Sequence, residues 1–219
     1  MSIVASYLSS EKIDWVKEFW VDKRPRDFFK SVNHILFALG EMFSYSNNHA
    51  MKTAIKSFSN LSNGFNSLDL VENVNDLRNR LFGKNNKDLT VALSDVVNSS
   101  ADTISWFSSS NIIKISAYAS NILTGAVGVT LTYSFLRNTI DIMNTLATVK
   151  MGKYSRNIKE WELSKSIAYL AMGILVTFGS MYGFASLAPF IVLCSSITLI
   201  SNAAIFYSKK DYESQFLRY

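Results

Sequence analysis

Two stretches decide the fold: SIAYLAMGILVTFGSMYGF (166–184) and PFIVLCSSITLISNAAIFYS (189–208). They fall in a run of 43 residues between Lys165 and Lys209 that contains no Asp, Glu, Lys, Arg or His. A helix that crosses a bilayer needs about 20 apolar residues. The run has room for two such helices, and YGFASLAP (182–189) is the natural break between them. Pro189 opens a helix well and continues one badly. Residues 166–208 therefore read as a transmembrane helical hairpin, and 209–219 as a basic tail. Gly179 and Gly183 (GSMYG) form a small-xxx-small pair late in the first helix, a pattern that lets two backbones approach, and packing within the hairpin is expected of them.

A second charge-free run lies between Lys114 and Arg137: ISAYASNILTGAVGVTLTYSFL (115–136). It is long enough to span, but carries Ser116, Ser120, Asn121, Thr124, Thr130, Thr132 and Ser134, each of which needs a partner in lipid. A third span and a helix lying at the interface or against the hairpin both remain open. Residues 111–165 are read as this helix followed by a basic linker. Lys150, Lys153, Arg156, Lys159 and Lys165 lead into the hairpin, and Lys209 and Lys210 follow it. Basic flanks on both ends place both on the cytoplasmic side.

Residues 1–110 read as an amphipathic helical region. EKIDWVKEFWVD (11–22) alternates an apolar and a charged face at helical period. Pro25 opens a new helix. A third helix carries Met51, Ile55, Phe58 and Leu61 and is expected to end at Gly64. A fourth carries Leu70, Val74, Leu77 and Leu81 and stops at Gly83. GKNNKD (83–88) is a turn, and a fifth helix follows from Leu89 to Phe107. No alternation of strand type appears. The fold class is all-α: a bundle of amphipathic helices followed by hydrophobic membrane helices that end in a hairpin. Trp15, Trp20, Phe28 and Phe29, beside Lys23, Arg24 and Arg26, are the candidate membrane-surface contacts. Indole favours the interface, and basic residues favour an anionic leaflet.

Composition narrows the function class. The chain has 219 residues, 22 Lys plus Arg against 17 Asp plus Glu, and a formal charge of +5; 18% of residues are charged and 48% hydrophobic. Disorder is excluded by the apolar content. A disulfide scaffold is excluded by the single Cys194. His34 and His49 have no partner at metal-ligand spacing, and no phosphate-cradling or nucleophile-elbow motif occurs. No catalytic residue, metal or cofactor is expected, and the chain reads as non-enzymatic. The basic residues border hydrophobic runs and form no face with stacked aromatics, so the partner they imply is a lipid membrane and not nucleic acid. A homo-oligomer or a complex with other membrane proteins is compatible with the spans.

Four stretches, RDFFKSVNHILFALGEMFSY (26–45), SNLSNGFNSLDLVENVNDLRNRL (59–81), ADTISWFSSSNIIK (101–114) and LAPFIVLCSSITLISNAAIFY (187–207), resemble in layout the peroxin 11 family of peroxisomal membrane-elongation proteins. That resemblance implies amphipathic N-terminal helices, both ends in the cytosol, a peroxisomal multi-pass membrane location, and a role in membrane remodelling and organelle fission. The sequence departs from the family in having no Arg or Lys in SNLSNGFNSL (59–68) and no glycine in the last stretch. The hairpin alone resembles the bilobed hydrophobic domain of inclusion-membrane proteins of intracellular chlamydiae, which implies recruitment of host partners. A small channel for neutral solutes, or a complex subunit, is the reading from a third class.

Overall fold

The computed structural model describes residues 25–42, 49–67, 69–82 and 89–216. Seven helices lie among the described residues: α1 (Pro25–Met42), α2 (His49–Ser67), α3 (Asp69–Phe82), α4 (Leu89–Ser109), α5 (Ala117–Thr148), α6 (Lys153–Tyr182) and α7 (Ala188–Phe216). No strand occurs among these residues. The fold is all-α, and α6 and α7 are the expected hairpin. Both are long and apolar enough to cross a membrane. Gly183 ends α6 at a φ of 95°, a left-handed conformation that glycine adopts without cost. Its amide donates to the Gly179 carbonyl at 2.8 Å, which closes the helix.

Six helices close a ring. In spatial order, α1 packs on α2, α2 on α4, α4 on α5, α5 on α6, α6 on α7, and α7 returns to α1. α3 sits outside the ring against α4 and touches α2. The hydrophobic core joins the two chain ends: Ala38 of α1 packs with Tyr169 and Met172 of α6 and Ala188 and Ile191 of α7. Phe37 and Phe184 meet edge to face, with centroids 5.2 Å apart. Inside this layer Ser31 Oγ and Thr198 Oγ1 are hydrogen-bonded at 2.9 Å, although 167 positions separate them.

Two sequence expectations change. The segment 137–165, read largely as a linker, is helical except for 149–152; Ser116 caps α5 by accepting the Ala119 amide at 3.1 Å, and the helix runs on to Thr148. Gly64 does not end α2, which continues to Ser67. Its missing side chain makes room for Trp106 of α4, whose Nε1 would lie 3.1 Å from a Cβ there. The true stop of α4 is Asn111 at a φ of 59°, with the Ile112 amide reaching back to the Phe107 carbonyl at 2.9 Å. Gly83 and the 83–88 turn lie outside the described residues.

Candidate functional site

The long helices are apolar outside, and their inner faces mix apolar core with polar residues. On α7, Phe190, Leu193, Ile197, Ile200 and Tyr207 are exposed at spacings of three, four, three and seven, which is one face of a helix. On α6, Ile167, Ile174, Phe178 and Met181 form a second exposed stripe, and Tyr182, at 80% exposure, ends it. On α5, Ile122, Val129, Leu136, Ile140 and Met143 form a third. Soluble helices turn such stripes toward a core. Contiguous apolar surface of this kind marks contact with a membrane or a partner. From Phe190 to Tyr207 the α7 stripe is about 26 Å long at 1.5 Å per residue, close to the roughly 30 Å of bilayer hydrocarbon.

The expected basic flanks stand together at one end of the hairpin. Asn157 Nδ2 of α6 lies 3.4 Å from Ser208 Oγ of α7, and the rings of Tyr154 and Tyr212 have centroids 6.2 Å apart. Lys153, Arg156 and Lys159 on α6 thus share a level with Lys209 and Lys210 on α7. Lys150 precedes α6 in the 149–152 connection, and Lys165 lies at the edge of the apolar run. Arg156 pairs with Glu160 at 3.0 Å and Lys159 with Glu162 at 2.6 Å.

On the inner side the same helices line a half-open cavity of about 590 Å³. Every helix of the ring contributes to its wall. α4 presents Asp95, Asn98, Ser99 and Asp102, at spacings of three, one and three, which is a polar stripe at helical period. α6 presents Lys159, Glu162, Lys165, Ser166 and Tyr169, and α7 presents Asn202, Ile205 and Lys209. Asn33 and His34 of α1, Asn63 of α2 and Asn138 of α5 complete the polar lining, with Asn73 reaching in from α3. Phe135 of α5 stacks on Tyr169 at 4.6 Å between centroids, and both rings stand at the wall.

The cavity wall is held by hydrogen bonds between helices. Thr139 Oγ1 and Ser166 Oγ are 2.8 Å apart, Asn138 Nδ2 donates to Ser166 Oγ at 3.1 Å, and Thr130 Oγ1 donates to Asn98 Oδ1 at 2.6 Å. Asn73 Nδ2 donates to the Asp95 carbonyl and to Ser99 Oγ, both at 3.2 Å. Two wall atoms remain unsatisfied: Asn33 Oδ1 and Asn202 Nδ2 are buried with no hydrogen-bond partner.

Of the other expected site residues, Trp15, Trp20, Lys23 and Arg24 lie outside the described residues. Arg26, Phe28 and Phe29 fall in the first turns of α1, and their side chains lie outside what is described. Gly179 is buried beneath the ring of Phe184, so it packs against the hairpin's own turn. Gly183 does not pack: it is exposed and nothing lies within 4 Å of where its Cβ would be. Its service is to the turn. The close approach of two backbones is made elsewhere, by Gly128 of α5 and Gly173 of α6. No sequence expectation covers the polar cavity, although the α4 stripe that builds it is readable at helical spacing. No group of three or more metal-binding side chains occurs among the described residues. No family model, curated protein or solved structure matches this chain.

Proposed function

We propose that the protein embeds in a membrane through the α6–α7 hairpin and acts there as a non-enzymatic scaffold that shapes the bilayer. The observation that supports this most is the exposed apolar face of the hairpin: Ile167, Ile174, Phe178 and Met181 of α6 and Phe190, Leu193, Ile197 and Ile200 of α7 are exposed. Lipid is the environment that such a face fits. The basic end formed by Lys153, Arg156, Lys209 and Lys210 belongs to the cytoplasmic side on the positive-inside rule.

The shaping role draws on α3. This helix has no buried residue, and Val71, Val74, Leu81 and Phe82 are exposed on it. An amphipathic helix of this kind wedges into one leaflet when it meets a membrane. The basic and aromatic residues of 15–29 are the second proposed contact. Reconstitution of the full chain into anionic vesicles, viewed by electron microscopy, tests the reading. Tubulated or elongated vesicles are expected, and their loss in a Val74→Asp, Phe82→Asp variant. Vesicles that incorporate the protein and keep their shape would overturn the shaping role. A peroxisomal address rests on the layout resemblance, and co-imaging of the tagged chain with a peroxisomal marker tests it.

A further inference from the structure

We infer that the half-open cavity lined by the helix ring is a binding site for a small neutral polyhydroxyl solute, a polyol or a sugar. The inference does not rest on membrane shaping, because the cavity belongs to the fold whatever the protein does to lipid.

It begins with two atoms. Asn202 is 5% exposed and its Nδ2 has no acceptor. Asn33 Oδ1 has no donor, and both residues line the cavity from the adjacent helices α7 and α1. A buried polar group left unmade carries its full desolvation penalty, so a fold retains one where something else completes it. One atom asks for an acceptor and the other for a donor. A hydroxyl is both, and a chain of hydroxyls serves both at once.

The remaining wall selects the same class. Carboxamides recur around it: besides Asn33 and Asn202, Asn63, Asn98 and Asn138 face the space. Each can donate and accept, which is the pairing that neighbouring hydroxyls need. The charged wall residues cancel, with Lys159, Lys165 and Lys209 against Asp95, Asp102 and Glu162. A ligand with net charge would gain on one side what it loses on the other. Phe135, stacked on the buried Tyr169, adds apolar surface to the wall against which the C–H groups of a saturated ring can rest. The volume of about 590 Å³ lies within the range of small-molecule pockets.

Equilibrium dialysis of the full chain in lipid nanodiscs, with radiolabelled myo-inositol and glucose as probes, tests the inference. Glycine, a zwitterion, and inorganic phosphate, an anion, are the comparisons that bear ionised groups. Saturable binding of at least one polyhydroxyl probe is expected, weakened tenfold or more by Asn202→Leu. The unliganded variant should melt no lower than the parent, since it loses an unsatisfied donor and not a bond; an asparagine kept for structure alone would lower it. Asn33→Leu repeats the measurement from α1 should Asn202→Leu fail to fold. No saturable binding of either probe at millimolar concentration would mean that water alone completes the two amides, and would overturn the assignment. Tighter binding of glycine or phosphate than of both polyhydroxyl probes would overturn it as well.

Discussion

Gly128 of α5 and Gly173 of α6 face each other so closely that a Cβ on either would stand 2.9 to 3.0 Å from the other's carbonyl oxygen. Each is followed four residues later by a threonine whose hydroxyl donates to that glycine's carbonyl: Thr132 Oγ1 to Gly128 O at 2.8 Å, and Thr177 Oγ1 to Gly173 O at 2.9 Å. The two Gly-x-x-x-Thr turns meet head to tail, and each threonine lies against the opposing glycine. Packing of this kind gains its energy from contact between backbones, which lipid does not weaken. It also fixes the depth of α5 beside the hairpin, and with it the position of the polar wall that α5 contributes.

Gly128→Val and Gly173→Val are each expected to destabilise the bundle by about 1–3 kcal/mol, the usual cost of overpacking. The opposing atoms here include backbone amides, Thr177 N at 2.6 Å and Thr132 N at 2.7 Å, so the neighbours cannot swing aside. The double variant should cost less than the sum of the two, because both changes open the same crossing. Thermal unfolding of the purified variants measures both effects.

The hairpin and the helix starts at Pro25 and Leu89 were legible because their signals are local: a charge-free run of spanning length, a proline at a first turn, an apolar stripe. The ring was not. Its closure depends on α1 meeting α7 across most of the chain, and nothing within α1 announces that partner. Gly64 misled because a glycine that ends a helix and one that admits a tryptophan look alike until Trp106 is in place. The cavity lay between these cases. Asp95, Asn98, Ser99 and Asp102 are a polar stripe of helical period, but such a stripe reads as a solvated face until the fold turns it inward.

The contact that closes the ring is open to a double-mutant cycle. Thr198 Oγ1 also lies 2.8 Å from the Ser195 carbonyl, to which it donates, and either hydroxyl can donate in the buried pair. Ser31→Ala leaves Thr198 bonded to the Ser195 carbonyl, and Ser31→Ala and Thr198→Val are each expected to cost about 1 kcal/mol. A coupling near zero, read from the unfolding free energies of the single and double variants, would show that the two hydroxyls do not interact.

The proposed crossing of the hairpin puts the basic end at Lys209 and Lys153 and the exposed turn at Ser186 on opposite sides of the bilayer. In sealed vesicles, with Cys194 replaced by serine, a membrane-impermeant maleimide is expected to label Ser186→Cys from one side and Lys210→Cys from the other. Labelling of both from the same side would show that the hairpin does not cross.

Ile200 separates lipid from water as the environment of the outer face. It is 57% exposed on α7, near the middle of the exposed stripe. On a soluble bundle an arginine at such a position changes stability by no more than about 0.5 kcal/mol, because little packs on it. At the centre of a membrane helix the same arginine costs about 2.5–3.5 kcal/mol of insertion free energy. Ile200→Arg is therefore expected to lower the fraction of chain that resists carbonate extraction at least tenfold. Ile205→Arg would be no such test, because Ile205 is buried and its replacement disrupts either kind of bundle. The decisive comparison pairs Ile200→Arg with Lys209→Leu. The second change removes a charge from the basic end, should leave insertion intact, and should loosen only the preference for which side that end occupies.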